Sequence, residues 1–85
     1  MSEVTMFHTS TCPYCVQAES LLKRKGVTHI NKVNVGTSAE SRAEMIAKTG
    51  RRTVPQIFIG ERHIGGFDDL AALELSGGLT PLLLA

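Results

Sequence analysis

The chain of 85 residues contains two cysteines, Cys12 and Cys15, which are separated by Pro13 and Tyr14. Thiols at this spacing lie on one face of a helical turn and can close into a small disulfide ring. Because a disulfide stabilises a protein more when it closes a longer loop, so short a ring contributes little stability. The pair is therefore better suited to exchanging electrons than to holding a fold together.

The elements on either side of the cysteines determine how the two thiols differ. An apolar run at residues 4–7 predicts a first strand, and the pattern at residues 16–25 predicts a helix, with Ser10 or Thr11 as its cap. Unsatisfied N–H groups at the start of that helix favour a negative sulfur on Cys12. Cys15, one turn further in, is expected to be less exposed and less acidic. Cys12 is thus the predicted attacking thiol, and Cys15 the thiol that resolves the mixed disulfide.

The rest of the chain predicts a small α/β domain spanning residues 1–85. Apolar patterns and glycine stops indicate further strands at residues 30–35, 53–59 and 62–64, helices at 38–48 and 68–76, and a last turn at 80–84. The order β-α-β-α-β-β-α predicts a four-stranded mixed sheet flanked by helices, with a parallel first pair and an antiparallel closing hairpin. We expect the second strand at an edge and the first inside. Val16 is among the apolar positions expected on the first helix.

Composition excludes several classes of partner. Apolar residues make up 42%, charged residues 20%, and the net charge is +1, which does not favour nucleic acid or an anionic membrane surface. No signal-peptide pattern opens the sequence, and no apolar run approaches the roughly 20 residues that span a bilayer. We therefore expect a cytoplasmic protein, in whose reducing surroundings a Cys-x-x-Cys pair is more often catalytic or metal-binding than structural.

Other roles for the cysteines remain open alternatives. Zinc usually takes four ligands, and His8, His29 and His63 show no ligand spacing, so we predict no metal. The two residues could also pack as small hydrophobic side chains. Their position at a strand-to-helix turn favours redox chemistry instead.

Three segments resemble the signature motifs of dithiol glutaredoxins of the small bacterial type. They are Thr-Cys-Pro-Tyr-Cys at residues 11–15, Thr-Val-Pro-Gln-Ile-Phe-Ile at 53–59, and Gly-Gly-Phe-Asp-Asp-Leu at 65–70. The resemblance covers nearly the whole chain, in order. It implies a thioredoxin-like fold that reduces protein disulfides and glutathione mixed disulfides, with glutathione as electron donor and no permanently bound cofactor. The expected partners are glutathione and disulfide-containing or glutathionylated proteins, and we expect a monomer.

The resemblance also implies a glutathione site. A cis Val54–Pro55 bond would leave the Val54 backbone free to pair with the cysteine residue of glutathione. The Asp69 side chain would take the α-ammonium of the γ-glutamyl group, and the backbone amides of Asp68 and Asp69 its α-carboxylate. The predicted binding residues are Tyr14, Arg52, Thr53, Val54, Pro55, Gly66, Asp68 and Asp69.

Some of these residues have plainer interpretations. Pro55 could be an ordinary edge-strand proline, Tyr14 an exposed aromatic, and the two aspartates simple helix caps. Arg51, Arg52 and Gln56 could reach the glycine carboxylate of glutathione, although the arginines could equally be solvated.

One position departs from the family pattern. Family members often carry lysine three residues before the first cysteine, where this chain has Thr9 beside His8. The helix terminus alone would then stabilise the Cys12 thiolate, or Arg52 could substitute for the lysine. His8 is a further candidate for partial replacement, although a plain surface histidine is the favoured interpretation.

Two other functions remain as alternatives. One is a redoxin reduced by a flavoprotein thioredoxin reductase, and the other is a glutathione-assisted carrier of iron–sulfur clusters. The family associates the carrier role mostly with a single-cysteine motif ending in Gly-Phe-Ser, which Pro13-Tyr14-Cys15 does not resemble.

Overall fold

Four strands form one mixed sheet in the computed structural model, which describes residues 2–85. The elements are β1 (Val4–His8), α1 (Pro13–Arg24), β2 (Asn31–Asn34), α2 (Ala39–Thr49), β3 (Gln56–Ile59), β4 (Arg62–Gly65), α3 (Phe67–Leu75) and α4 (Leu79–Leu84). The strand order is β2-β1-β3-β4, with β1 parallel to β2 and antiparallel to β3, and β4 antiparallel to β3. The predicted sheet, including the second strand at an edge, is confirmed.

The sheet has a core on each face because successive side chains of a strand point to opposite sides. Met6 of β1 and Ile57 of β3 belong to the larger cluster, which includes buried leucines from α1, α3 and α4. Phe7 belongs to the smaller cluster, where Met45 of α2 packs. Within residues 2–85, no helix is long and apolar enough to cross a membrane.

The leucine-rich end of the chain packs on the larger core. Leu79 and Leu83 are buried, and residues predicted as a last turn form the helix α4. The Ser2 backbone N–H donates to the Leu83 carbonyl at 3.0 Å, so the two ends of the described chain meet.

The third strand begins later than predicted. β3 starts at Gln56 rather than at residue 53. Pro55 has no N–H to donate to a sheet ladder, and the residues before it leave the sheet as a loop. This shorter strand places residues 53–55 where a ligand can reach them.

Two helices bury fewer apolar residues than their patterns suggested. Val16 of α1 is 67% exposed, so its predicted place on the apolar face was wrong. The buried face of α1 instead passes through Cys15, Ala18 and Leu22, which follow the helical repeat. On α2 only Met45 is fully buried, and it packs in the smaller cluster with Phe7 and Val35.

Candidate functional site

The first cysteine is the cap of α1. Cys12 has extended backbone angles, φ −108 and ψ 106, and its Sγ accepts a hydrogen bond from the Cys15 backbone N–H at 3.1 Å. The prediction that Ser10 or Thr11 caps the helix was therefore wrong, because the chain turns into the helix one residue later. As a result the sulfur itself occupies the position where backbone N–H groups stabilise a negative charge.

The two thiols differ in burial. Cys15 is 4% exposed, whereas Cys12 is only partly buried, and both are free thiols. Burial raises the pKa of Cys15 to about 12, and its hydrogen bond with Cys12 adds to the shift. Cys15 is therefore protonated at neutral pH, which agrees with the prediction that it is the less exposed and less acidic thiol.

The loop before β3 lies against the sulfur of Cys12. The Val54–Pro55 peptide bond is cis, as the family resemblance implied. The Cys12 Sγ lies 3.8 Å from the Val54 carbonyl oxygen, so a molecule paired with the Val54 backbone would be brought close to that sulfur.

The start of α3 carries a fixed carboxylate. Oδ2 of Asp69 accepts from the Gly66 backbone N–H at 3.0 Å and from Nη1 of Arg51 at 2.9 Å. The hydrogen bond from Arg51, followed by that from Gly66, lowers the pKa of Asp69 below its usual range. An ionised carboxylate therefore stands beside the open N–H groups of a helix start, which suits a ligand carrying both an ammonium and a carboxylate.

Gly65, for which no binding role was predicted, lies directly behind the Asp69 carboxylate. Its φ is +119, a conformation that favours glycine, and a Cβ built there would collide with the Asp69 carboxylate. The available signal was the Gly65-Gly66 pair, which only Phe67 separates from Asp68 and Asp69.

These elements enclose one groove of about 270 Å³. It collects every predicted glutathione-binding residue except Arg52, and it adds Arg51 and Phe67. The lining residues are Tyr14, Arg51, Thr53, Val54, Pro55, Gly66, Phe67, Asp68 and Asp69.

Phe67 was not among the predicted site residues. Its ring stacks with that of Tyr14, with centroids 6.3 Å apart and planes 27° apart. Tyr14 is 58% exposed, so this aromatic pair forms an accessible apolar wall beside the cysteines. This stacking contact joins residues from α1 and α3, so no local pattern in the sequence predicts it.

Three other residues with proposed roles lie elsewhere. Arg52 is exposed but does not line the groove, and its carbonyl accepts from Nη1 of Arg42 at 3.3 Å. Gln56 is fully buried and donates to the Thr53 carbonyl at 3.0 Å, so the suggestion that it reaches a ligand carboxylate was wrong. Nδ1 of His8 lies 3.3 Å from the Thr9 carbonyl oxygen, a local contact.

The described residues also bear on a metal site. Within residues 2–85, no group of three or more histidine, cysteine, aspartate or glutamate side chains is arranged to hold a metal ion.

The protein is a thiol–disulfide oxidoreductase of the thioredoxin-like fold. This class is defined by a mixed sheet, a Cys-x-x-Cys pair whose first cysteine caps the helix after β1, and a cis proline that faces the pair. Comparisons with known proteins narrow this class. The glutaredoxin family model matches residues 4–64. The chain is 52% identical over 83 residues to a glutaredoxin of Neisseria meningitidis, covering 98% of both chains. It is 51% identical over 83 residues to glutaredoxin 3 of Escherichia coli, covering 98% of this chain and 99% of that protein.

A solved structure agrees with these sequence matches. The buckwheat glutaredoxin–glutathione complex superposes with a TM-score of 0.87 at 29% identity, covering 98% of this chain and 77% of that one. The protein belongs to the glutaredoxin family.

Proposed function

We propose that this protein is a glutathione-dependent oxidoreductase that reduces protein disulfides and glutathione mixed disulfides. The observation that carries the proposal is the groove that joins the Asp69 carboxylate to the Val54 backbone beside Cys12. Glutathione offers complementary groups: a γ-glutamyl group with both charges, a cysteine backbone and a thiol.

In the proposed complex, the γ-glutamyl group and the cysteine residue of glutathione bind in the groove, and the glycine carboxylate reaches beyond it. The α-ammonium pairs with Asp69, and the α-carboxylate accepts from the backbone N–H groups of Asp68 and Asp69. The cysteine residue pairs with the Val54 backbone, which directs its sulfur to Cys12. Tyr14 flanks the bound peptide. Arg52, exposed on the same loop, is the proposed partner of the glycine carboxylate.

For a glutathionylated protein, the Cys12 thiolate attacks the glutathione sulfur of the mixed disulfide. That S–S bond breaks, a new one forms between Cys12 and glutathione, and the protein leaves as a thiolate that takes up a proton. The thiolate of a second glutathione then attacks the glutathione sulfur on Cys12. Oxidised glutathione departs and the Cys12 thiolate is restored, so one disulfide is exchanged for another and a single free glutathione thiol is oxidised for each protein thiol released.

For a protein disulfide, Cys12 first forms a mixed disulfide with the substrate protein. Cys15 then loses its proton and attacks the Cys12 sulfur, which releases the substrate as a dithiol and closes the Cys12–Cys15 bridge. Two glutathiones reduce that bridge. The raised pKa of Cys15 keeps it protonated until the mixed disulfide brings it into use, so it does not compete with Cys12 for the first attack.

Relatives support glutathione as the electron donor. The buckwheat glutaredoxin forms a complex with glutathione, and its fold matches this chain over 98% of the length. We propose the same ligand here, a monomeric state, no permanently bound cofactor, and the reducing cytosol as compartment.

A coupled assay tests the donor. The protein is given a glutathionylated peptide with glutathione, glutathione reductase and NADPH, and in parallel thioredoxin reductase with NADPH. We expect turnover with glutathione only. Turnover only with thioredoxin reductase would make the protein a redoxin of the thioredoxin-reductase pathway. Anaerobic reconstitution with iron and sulfide, followed by absorption spectroscopy, tests the cluster-carrier alternative.

A further inference from the structure

The loop that carries Val54 is held mainly by side chains. Residues 51–55 lie outside the helices and the sheet, and in the described chain none of the backbone–backbone hydrogen bonds of the turns and loops involves them. A backbone left free in this way can pair with a ligand, but its position must then be set by other groups. Thr49 Oγ1 supplies one, since it accepts from the Arg51 N–H at 2.9 Å.

A series of hydrogen bonds through the buried Gln56 side chain also sets the position of this loop. Nε2 of Gln56 donates to the Thr53 carbonyl at 3.0 Å and lies 3.3 Å from the Thr53 hydroxyl. On the other side, Oε1 of Gln56 lies 2.8 Å from Nε2 of His63. Gln56 is fully buried. These hydrogen bonds therefore connect His63 of β4, through Gln56 at the start of β3, to Thr53, the residue directly before the Val54–Pro55 bond.

The geometry determines which ring nitrogen of His63 carries the proton. Because the Gln56 amide nitrogen faces Thr53, its oxygen faces His63 and needs a donor. Burial, followed by the charge of Arg51, lowers the pKa of His63, so the ring is neutral at pH 7 and has one N–H. That proton is at Nε2. The ring itself is held against Phe58, with centroids 5.0 Å apart.

We propose that His63 is a positioning residue for glutathione binding, which acts through Gln56 to hold Thr53 and Val54 beside Cys12. His63 is not among the residues lining the groove, and none of the roles assigned above depends on it. The expected effect on glutathione binding rests on the proposed function. The hydrogen bonds from His63 through Gln56 to Thr53 do not, because they are present in the protein without a ligand.

Loss of the His63 donor has a specific consequence. The Gln56 side-chain oxygen would be left buried without a hydrogen-bond donor. The Gln56 amide would then rotate towards another donor, and its hydrogen bond to the Thr53 carbonyl would be lost. The Val54 backbone would then lose its fixed position, whereas Cys12, held by α1, would keep its own. Substrate pairing should weaken while the chemistry at the sulfur stays the same.

Three substitutions separate positioning from packing. His63→Phe keeps a ring against Phe58 but removes the donor, and His63→Gln keeps an N–H donor without the ring. His29→Phe is the matched control, since His29 is an exposed loop residue. KM and kcat are measured with a glutathionylated peptide, and the backbone amide signals of Thr53 and Val54 are recorded by NMR without ligand.

We expect His63→Phe to raise KM about fivefold with kcat nearly unchanged, and to move the Thr53 and Val54 amide signals. His63→Gln should restore both readouts towards those of the wild type, and His29→Phe should change neither. Long-range nitrogen–proton spectra of the wild type should show the proton at Nε2 of His63.

Each of the opposite results overturns the inference. These are a proton at Nδ1, a wild-type KM in His63→Phe, or a KM increase that His63→Gln does not reverse. If His63→Phe does not fold, His63→Leu takes its place, with the same expected outcomes. If the wild type shows no turnover with glutathione, the proposed function fails by itself, and the amide signals and the tautomer still decide whether His63 holds the loop.

Discussion

Arg51 and Asp69 form an ion pair at the groove, with Nη1 of Arg51 2.9 Å from Oδ2 of Asp69. The two side chains come from the loop before β3 and the first turn of α3, so their contact joins the two walls of the site. Both are about half exposed, at 48% and 45%, and an exposed pair contributes little to stability. Its main effect is to orient the Asp69 carboxylate and to keep it ionised.

The first prediction concerns this carboxylate. Asp69→Asn should raise KM for a glutathionylated peptide by about tenfold, because an amide cannot pair with the ligand ammonium as a charge. The melting temperature should change little, since the pair is exposed. Glu74→Gln is the matched control, because Glu74 lies on the same helix and pairs with Lys25 at 3.0 Å. Equal values of KM in the two variants would show that Asp69 does not take part in binding.

The second prediction concerns the two thiols. Cys12→Ser should abolish both deglutathionylation and protein-disulfide reduction, because no other thiol can make the first attack. Cys15→Ser should spare deglutathionylation and abolish disulfide reduction, since only the second reaction needs a resolving thiol. The two rates are measured on a glutathionylated peptide and on a small disulfide protein. Equal loss of both activities in Cys15→Ser would contradict this division.

The third prediction follows from the pKa of Cys15. A thiol whose pKa is raised to about 12 by burial is almost entirely neutral at pH 7, so it reacts slowly with alkylating reagents there. Iodoacetamide at pH 7 should modify Cys12 alone, and mass spectrometry should find one adduct. In Cys12→Ser the burial of Cys15 persists, and its alkylation should become fast only in strongly alkaline solution. Rapid alkylation of Cys15 at pH 7 in folded protein would disprove the assignment.

The fourth prediction concerns Gly65. Gly65→Ala should lower the free energy of unfolding by about 2 kcal/mol, because a side chain is strained at this backbone angle, and it should also raise KM. The new methyl group would push the Asp69 carboxylate aside. Gly77→Ala is the control, since Gly77 has φ +80 and open space around its Cβ position.

Chemical denaturation and peptide kinetics distinguish the two glycine variants. Gly77→Ala carries backbone strain alone and should keep the wild-type KM. If Gly65→Ala also kept that KM, the position of the Asp69 carboxylate would not matter for binding.

The strands and helices could be read from the sequence because they depend on local periodicity, and the rules for connections between them then indicated the parallel first pair and the closing hairpin. Short apolar runs, glycine stops and the hairpin turn at Gly60 indicated each element within a few residues. The boundaries were less accurate. β3 begins at Gln56, and Val16 is exposed, because the exact face of a short element depends on what packs against it.

The sequence by itself indicated thiol–disulfide chemistry, and it predicted which cysteine attacks and which resolves. Cys12 and Cys15 lie so close in the chain that helix geometry alone places one at the terminus and the other inside. The family motifs added glutathione as the predicted ligand, and most of the predicted binding residues do line one groove.

Only the tertiary structure decided which of two adjacent arginines meets Asp69, that Gln56 is buried, and that His63 stands behind it. Residues 51–55 form a loop without a repeat, so the directions of their side chains follow from contacts with α3 and β4, which are distant in sequence. The spacing of Cys12 and Cys15 is thus a local property of the chain, whereas the groove beside them forms only when three separate segments pack together.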